Sequence, residues 1–161
     1  MKRRNCLTGL MSVCALSAFP VAARAHHGWS SFDQTRPIYL RGVAREVRWR
    51  NPHVELILEV AADLTLPEDM TQRSLPSQMA RIDTVALLAR TQLPNRRDAR
   101  WEVELAPLTR MNQWRIPEIT DGTNLELIGF TFIEERGNPV LRAEYLFLNE
   151  QVFGLRSAPA G

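Results

Sequence analysis

Between Ile38 and Trp49 the apolar residues change sides. Ile38 and Leu40 are even-numbered, whereas Val43, Val47 and Trp49 are odd. The segment is rich in β-branched and aromatic residues, which makes it a strand. Successive strand residues face opposite ways, so a change of parity demands one extra residue or a sharp bend. Gly42 stands at the change, and the pattern places the bend there. Arg45 shares parity with Val43 and Val47, which leaves its side undecided.

The rest of the chain completes a β-rich pattern. Asn51-Pro52 is a turn signal. His53 to Val60 then alternates, with Val54, Leu56, Leu58 and Val60 on one face, His53, Glu55 and Glu59 on the other, and Ile57 as the exception. A third strand, Arg100 to Leu105, turns Trp101, Val103 and Leu105 inward. Pro107 opens a short helix through Leu108, Met111 and Trp114. Strands over Leu125 to Ile133 and Val140 to Leu148 flank Arg136-Gly137-Asn138-Pro139, a hairpin-type connection. The order predicts a mainly β fold: a five-stranded OB-like barrel, with a helix between strands three and four and a helical insert after strand two. Closure also removes the exposed edges such strands would leave.

The insert spans about 62–98. Pro67, Pro76 and Pro94 punctuate it, and between the last two Ser77 suits a helix cap. Over 77–93, Met79, Ile82, Val85, Ala86 and Ala89 form one apolar stripe, with Leu87 and Leu88 outside it. Such a stripe marks a helix packed on the barrel. The alternative gives helix 77–93 to a protein partner or a membrane surface.

The start of the chain reads as an address. Lys2, Arg3 and Arg4 precede an apolar run from about Leu7 to Val21, which ends in Ala23-Arg24-Ala25. A basic start, a short apolar core and an A-x-A end describe a secretory signal peptide over 1–25. The run is too short to span a bilayer, so the processed chain is expected in the periplasm or secreted, and not as an integral membrane protein. Residues 26–155 form a single domain, and 156–161 a frayed tail. Both cysteines, Cys6 and Cys14, lie within the leader, so the processed chain has neither thiol nor disulfide. Loss of Lys2, Arg3, Arg4 and Arg24 takes the 20 basic residues to 16 against 18 acidic ones, so the formal charge of +2 becomes −2. A nearly balanced chain of this kind is not built for nucleic acid.

Only three histidines occur: His26, His27 and His53. Cleavage after Ala25 puts His26 at a free amino terminus. Its amine and imidazole then chelate one metal, and His27 or His53 completes a three-nitrogen site. Such tetragonal nitrogen coordination suits Cu(II), a histidine brace. Asp33 or Glu55 would add an oxygen. Cleavage after Ala23 instead leaves Arg24-Ala25-His26, a square-planar Cu(II) or Ni(II) site through backbone nitrogens. Metal handling is favoured over catalysis. No G-x-S-x-G, phosphate loop, G-x-G-x-x-G or HExxH motif is present, and a serine triad would have to draw on the same three histidines. A metal-free ligand- or protein-binding module is the competing class, its ligand held by Tyr39, Arg41 and Arg48 on the barrel face. A copper oxidoreductase is the third.

A His-His start after a leader, the stretch Trp49-Arg50-Asn51-Pro52-His53, the strand Trp101-Glu102-Val103-Glu104 and a later glycine-bounded strand pair resemble the DUF6152-type family of small exported bacterial proteins. The resemblance runs over roughly residues 26–150. It implies a fold and a compartment, and the family brings no established activity. The chain departs from it in the long insert and in Gln113, which stands before Trp114 where the pattern has glycine.

Overall fold

The computed structural model describes residues 28–160, so the leader, His26 and His27 lie outside the described residues. Six strands form one sheet: β1 (Ile38–Arg48), β2 (Glu55–Val60), β3 (Arg100–Glu104), β4 (Asn124–Phe130), β5 (Val140–Leu148) and β6 (Gln151–Gly154). Their order is β3-β2-β1-β4-β5-β6, and β3 also pairs with β5. That last pairing is parallel, with Val103 opposite Leu141 and Glu104 opposite Arg142, and it closes the first five strands into a mixed barrel. Helix α2 (Leu108–Gln113) lies between β3 and β4. The expected OB-like architecture is therefore present.

Alternation fills the barrel. Leu56 and Leu58 of β2, Trp101 and Val103 of β3, Leu127 of β4 and Leu141 and Leu146 of β5 meet inside it, all buried. Each such side chain contributes roughly 1.5–3 kcal/mol on leaving water. Met111 of α2 is wholly buried against the same cluster, with Leu108 and Trp114 packed beside it.

The parity change in β1 has a different cause from the one expected. Ile38, Leu40 and Ala44 all join the barrel core, so the inward face stays even past Gly42. The register slips instead between Arg45 and Arg48, where Glu46 adopts φ 49°. This bulge brings Val47 and Trp49 back against the core. Gly42 is needed for another reason: a Cβ there would lie 2.0 Å from the carbonyl oxygen of Glu59, where β1 and β2 close on each other. Arg45 points outward and pairs with Glu59 at 2.8 Å.

A second core covers the outer face of one wall. Tyr39 of β1, Ile128 of β4 and Tyr145 of β5 turn outward, and meet Phe32 from the lead-in with Met70, Leu87 and Leu88 from the insert. The insert supplies helix α1 (Thr84–Arg90), capped by the Asp83 carboxylate, which accepts from Ala86 N at 2.9 Å. The expected helix over 77–93 is thus only 84–90, and its apolar face is shifted. Thr84, Leu87, Leu88 and Thr91 turn toward the protein, while Met79 and Val85 are 72% and 78% exposed. A start at Asp83 leaves Met79 and Ile82 outside the helix, so the stripe drawn through them does not exist.

One strand lies outside the expected five, and one expectation is corrected. Strand β6 follows β5 through Asn149 and Glu150, both at positive φ. The stretch from Arg156 is not frayed: Met79 N donates to Ala158 O, Ala160 N to Ser77 O, and Ala80 N to Ser157 Oγ. Among the described residues no helix is long and apolar enough to cross a membrane.

Candidate functional site at the His53 end of the barrel

His53 sits where β2 begins, and its neighbours fix it there. The Asn51 side-chain carbonyl accepts from Leu108 N at 3.2 Å, tying the β1–β2 turn to α2. Val54 exchanges backbone hydrogen bonds with β3's continuation, donating to Ala106 O and accepting from Leu105 N. The half-buried imidazole is thereby held at the end of β3, beside the Glu104–Arg142 register pair.

Arg142 joins the groups. One of its nitrogens donates to Glu104 at 2.7 Å, and the other lies 3.2 Å from His53 Nε2. Arginine has no acceptor atom, so a hydrogen bond between them requires Nε2 to accept. The same guanidinium lies 5.1 Å from the centroid of the Trp29 indole, and that of Arg156 lies 4.0 Å from it. Trp29 thus rests on two cations. Beneath them Glu144 is wholly buried, accepting from Arg156 at 2.7 Å and from Gln78 at 3.1 Å. Gln78 Oε1 in turn accepts from the backbone of Arg156 and Ser157.

Two carboxylates therefore neutralise two of the three arginines. The third, Arg110, donates to Leu155 O at 3.0 Å. Burial lowers the Arg110 pKa from its ordinary value, Arg142 adds to the effect, and Glu144 opposes it. The result is a polar cluster at one end of the barrel, roofed by the lead-in and floored by β5.

Of the sequence-predicted metal residues, His53 is placed in this cluster, while His26 and His27 lie outside the described residues. Among the described residues no three His, Cys, Asp or Glu side chains converge as a metal would need. Of the candidate oxygen donors, Asp33 accepts from Thr35, whereas Glu55 stands opposite Glu104 in the β2–β3 register and pairs with Arg48 at 2.8 Å. On the expected ligand face of Tyr39, Arg41 and Arg48, the two arginines stay partly exposed and the tyrosine does not. Tyr39 is buried in the second core, and Arg41 pairs with Asp63. Sequence reasoning missed Arg142, Glu144 and Arg156. The signal available was two charged residues inside the otherwise apolar β5, which a fully buried strand retains only with partners.

The fold is a closed five-stranded OB-like barrel with a covering insert. Over residues 14–81 the chain matches the family described as Family of unknown function (DUF6152). The matched segment contains all three histidines and stops within the insert, before β3. No curated protein and no solved structure matches the chain.

Proposed function

We propose that the protein is an exported metal-binding protein that takes Cu(II) through His26 and His27 at its processed amino terminus, with His53 as the third contributor. One observation supports this most: the seat of Trp29 on Arg142, the residue that touches His53. His27 is only two residues from Trp29, a reach of about 7 Å in extended chain. That short reach supports a histidine pair that works together with His53.

The donor set suits the ion. An amine and two or three imidazoles are neutral nitrogen donors, which favour Cu(II). The nearby guanidiniums of Arg142 and Arg156 are each offset by a carboxylate. His53 Nε2 already accepts from Arg142, so direct ligation by this nitrogen requires Arg142 to turn aside. Otherwise His53 acts by fixing Arg142 beneath Trp29. The reading is of metal handling, without a catalytic role.

Copper titration of the chain beginning at His26, followed by its visible d–d absorption, tests this. One tightly bound equivalent is expected, and acetylation of the His26 amine should abolish it by converting the amine to an amide, without creating a new free terminus. Equal binding in the blocked form would overturn the reading. The intact mass of the exported protein fixes the cleavage point on which it depends.

A further inference from the structure

On the outer face of the barrel, between the insert and the β5–β6 hairpin, runs an open groove of about 570 Å³. Small-molecule sites commonly hold roughly 300–1,000 Å³. Its floor is a cross-strand row, Arg41–Glu126–Phe147–Val152, with one outward residue from each of β1, β4, β5 and β6. Val43 and Asn124 stand opposite each other in the next row. Three strand spacings give the floor a length of ~14 Å. The groove lies away from the β2–β3 face on which OB barrels commonly take their ligands.

Charge narrows the occupant. Both lining cations are engaged: Arg41 pairs with Asp63, and Arg73 with Glu126 and Asp69. The lining charge left over is the exposed Glu150 carboxylate, which makes no ion pair or hydrogen bond with any described residue. An anionic ligand is therefore disfavoured. The side chains of Ser74, Asn124 and Asn149 are likewise exposed and make no hydrogen bond to any described residue. Half-buried Val43, Phe147 and Val152 supply apolar surface among them. The hairpin tip carries a further mark. Asn149 and Glu150 turn it at φ 51° and 63°, where asparagine followed by glycine is the unstrained choice. A glutamate kept in left-handed backbone beside a groove points to use of its carboxylate.

We propose that this groove binds a short neutral oligosaccharide, with its ring faces over Val43 and Val152 and its hydroxyls on Ser74, Asn124, Asn149 and Glu150. Side-chain amides offer donors and an acceptor together, and a carboxylate two acceptors, which suits neighbouring hydroxyls that both give and take hydrogen bonds. Strand addition by a peptide needs an open sheet edge, whereas this floor is a sheet face. The site is independent of the copper reading, since no histidine lines it.

Calorimetric titration of the full chain with maltotriose, cellotriose and triacetylchitotriose, and with trigalacturonate as the anionic counterpart, decides the matter. At least one neutral trimer should bind, and at least about tenfold more tightly than trigalacturonate, the scale of one repelled charge. Asn124→Ala, at an exposed position, should weaken that binding about fivefold, the scale of one lost hydrogen bond. Glu150→Gly should weaken it as much while raising the urea midpoint, because glycine relieves the left-handed strain. A carboxylate without a ligand would show the gain in stability alone. Ser74→Trp, which fills the space, should abolish binding. Absence of binding by all three neutral trimers, equal binding of trigalacturonate, or binding unchanged by Asn124→Ala and Glu150→Gly would each overturn the proposal.

Discussion

The guanidinium of Arg156 lies 4.0 Å from the centroid of the Trp29 indole, joining the lead-in to the far end of the described chain. Arg142 adds a second cation at 5.1 Å, and Phe130 meets the indole edge-on. Trp29→Ala should therefore destabilise the protein by about 2–3 kcal/mol in urea denaturation, through lost burial and two cation–π contacts. Trp29→Phe should lose roughly half of that, because a weaker ring remains.

Arg156 also guards a buried charge. Glu144 is wholly buried, and without Arg156 its carboxylate would keep Gln78 alone as a described hydrogen-bond partner. Arg156→Ala is expected to cost roughly 3–5 kcal/mol, because it strands a carboxylate away from water. The double replacement Glu144→Gln with Arg156→Met should cost clearly less than the sum of its parts. A double-mutant cycle by chemical denaturation measures the difference.

Glu135 should give the protein an acid limb. Burial pushes its pKa up, yet the carboxylate ends below its ordinary value of 4.5 through hydrogen bonds from Asn95 N, Arg36 and Arg96 N. A carboxyl whose folded pKa is depressed adds stability that is complete above the unfolded value. That stability is lost as pH falls from about 4.5 through the lower folded value. Glu135→Gln should flatten this part of a urea-midpoint profile against pH. At neutral pH it should lower stability by on the order of 2 kcal/mol, since charged hydrogen bonds become weaker ones.

Two glycines should behave differently. At Gly42 a methyl group would meet the Glu59 carbonyl oxygen at 2.0 Å, so Gly42→Ala should cost 3 kcal/mol or more, roughly the upper range for overpacking against rigid backbone. Gly137 has φ 76° and open space around it, so Gly137→Ala should cost only about 1 kcal/mol of left-handed strain. Thermal or urea unfolding of the two variants separates steric from conformational demand.

The insert helix offers a matching contrast. Leu88→Ala should cost about 2–4 kcal/mol, because Leu88 is buried in the second core. Met79→Ser and Val85→Ser, at exposed positions, should stay within about 0.5 kcal/mol of the parent.

Much of the barrel was legible because its strands are half-buried walls with period-two alternation. Trp101, Val103 and Leu105 turn inward as their spacing requires, and Val140–Leu148 begins and ends where its composition does. The bend in β1 was legible as a fact and misplaced as a position. Gly42 is conspicuous in sequence, whereas the bulge at Glu46 places an ordinary residue at positive φ, which has no compositional mark. Strand β6 was missed for a related reason: its turn uses Asn149-Glu150 in place of the Asn-Gly that announces such hairpins. The phase of α1 was misread because Asp83, the true cap, lies well inside the window. At the candidate site His53 was visible as one of three histidines. Its neighbour Arg142 and the Glu104 that pairs with that arginine come from strands far apart in sequence, and their parallel pairing unites them.

The wall formed by β1, β4 and β5 is apolar on both sides, with Leu40 and Leu127 turned to one core and Tyr39, Ile128 and Tyr145 to the other. A trimmed variant lacking 62–98 would therefore not be a smaller soluble barrel. It would bare an oily plate across three strands and self-associate, so the insertion is integral to the domain's solubility.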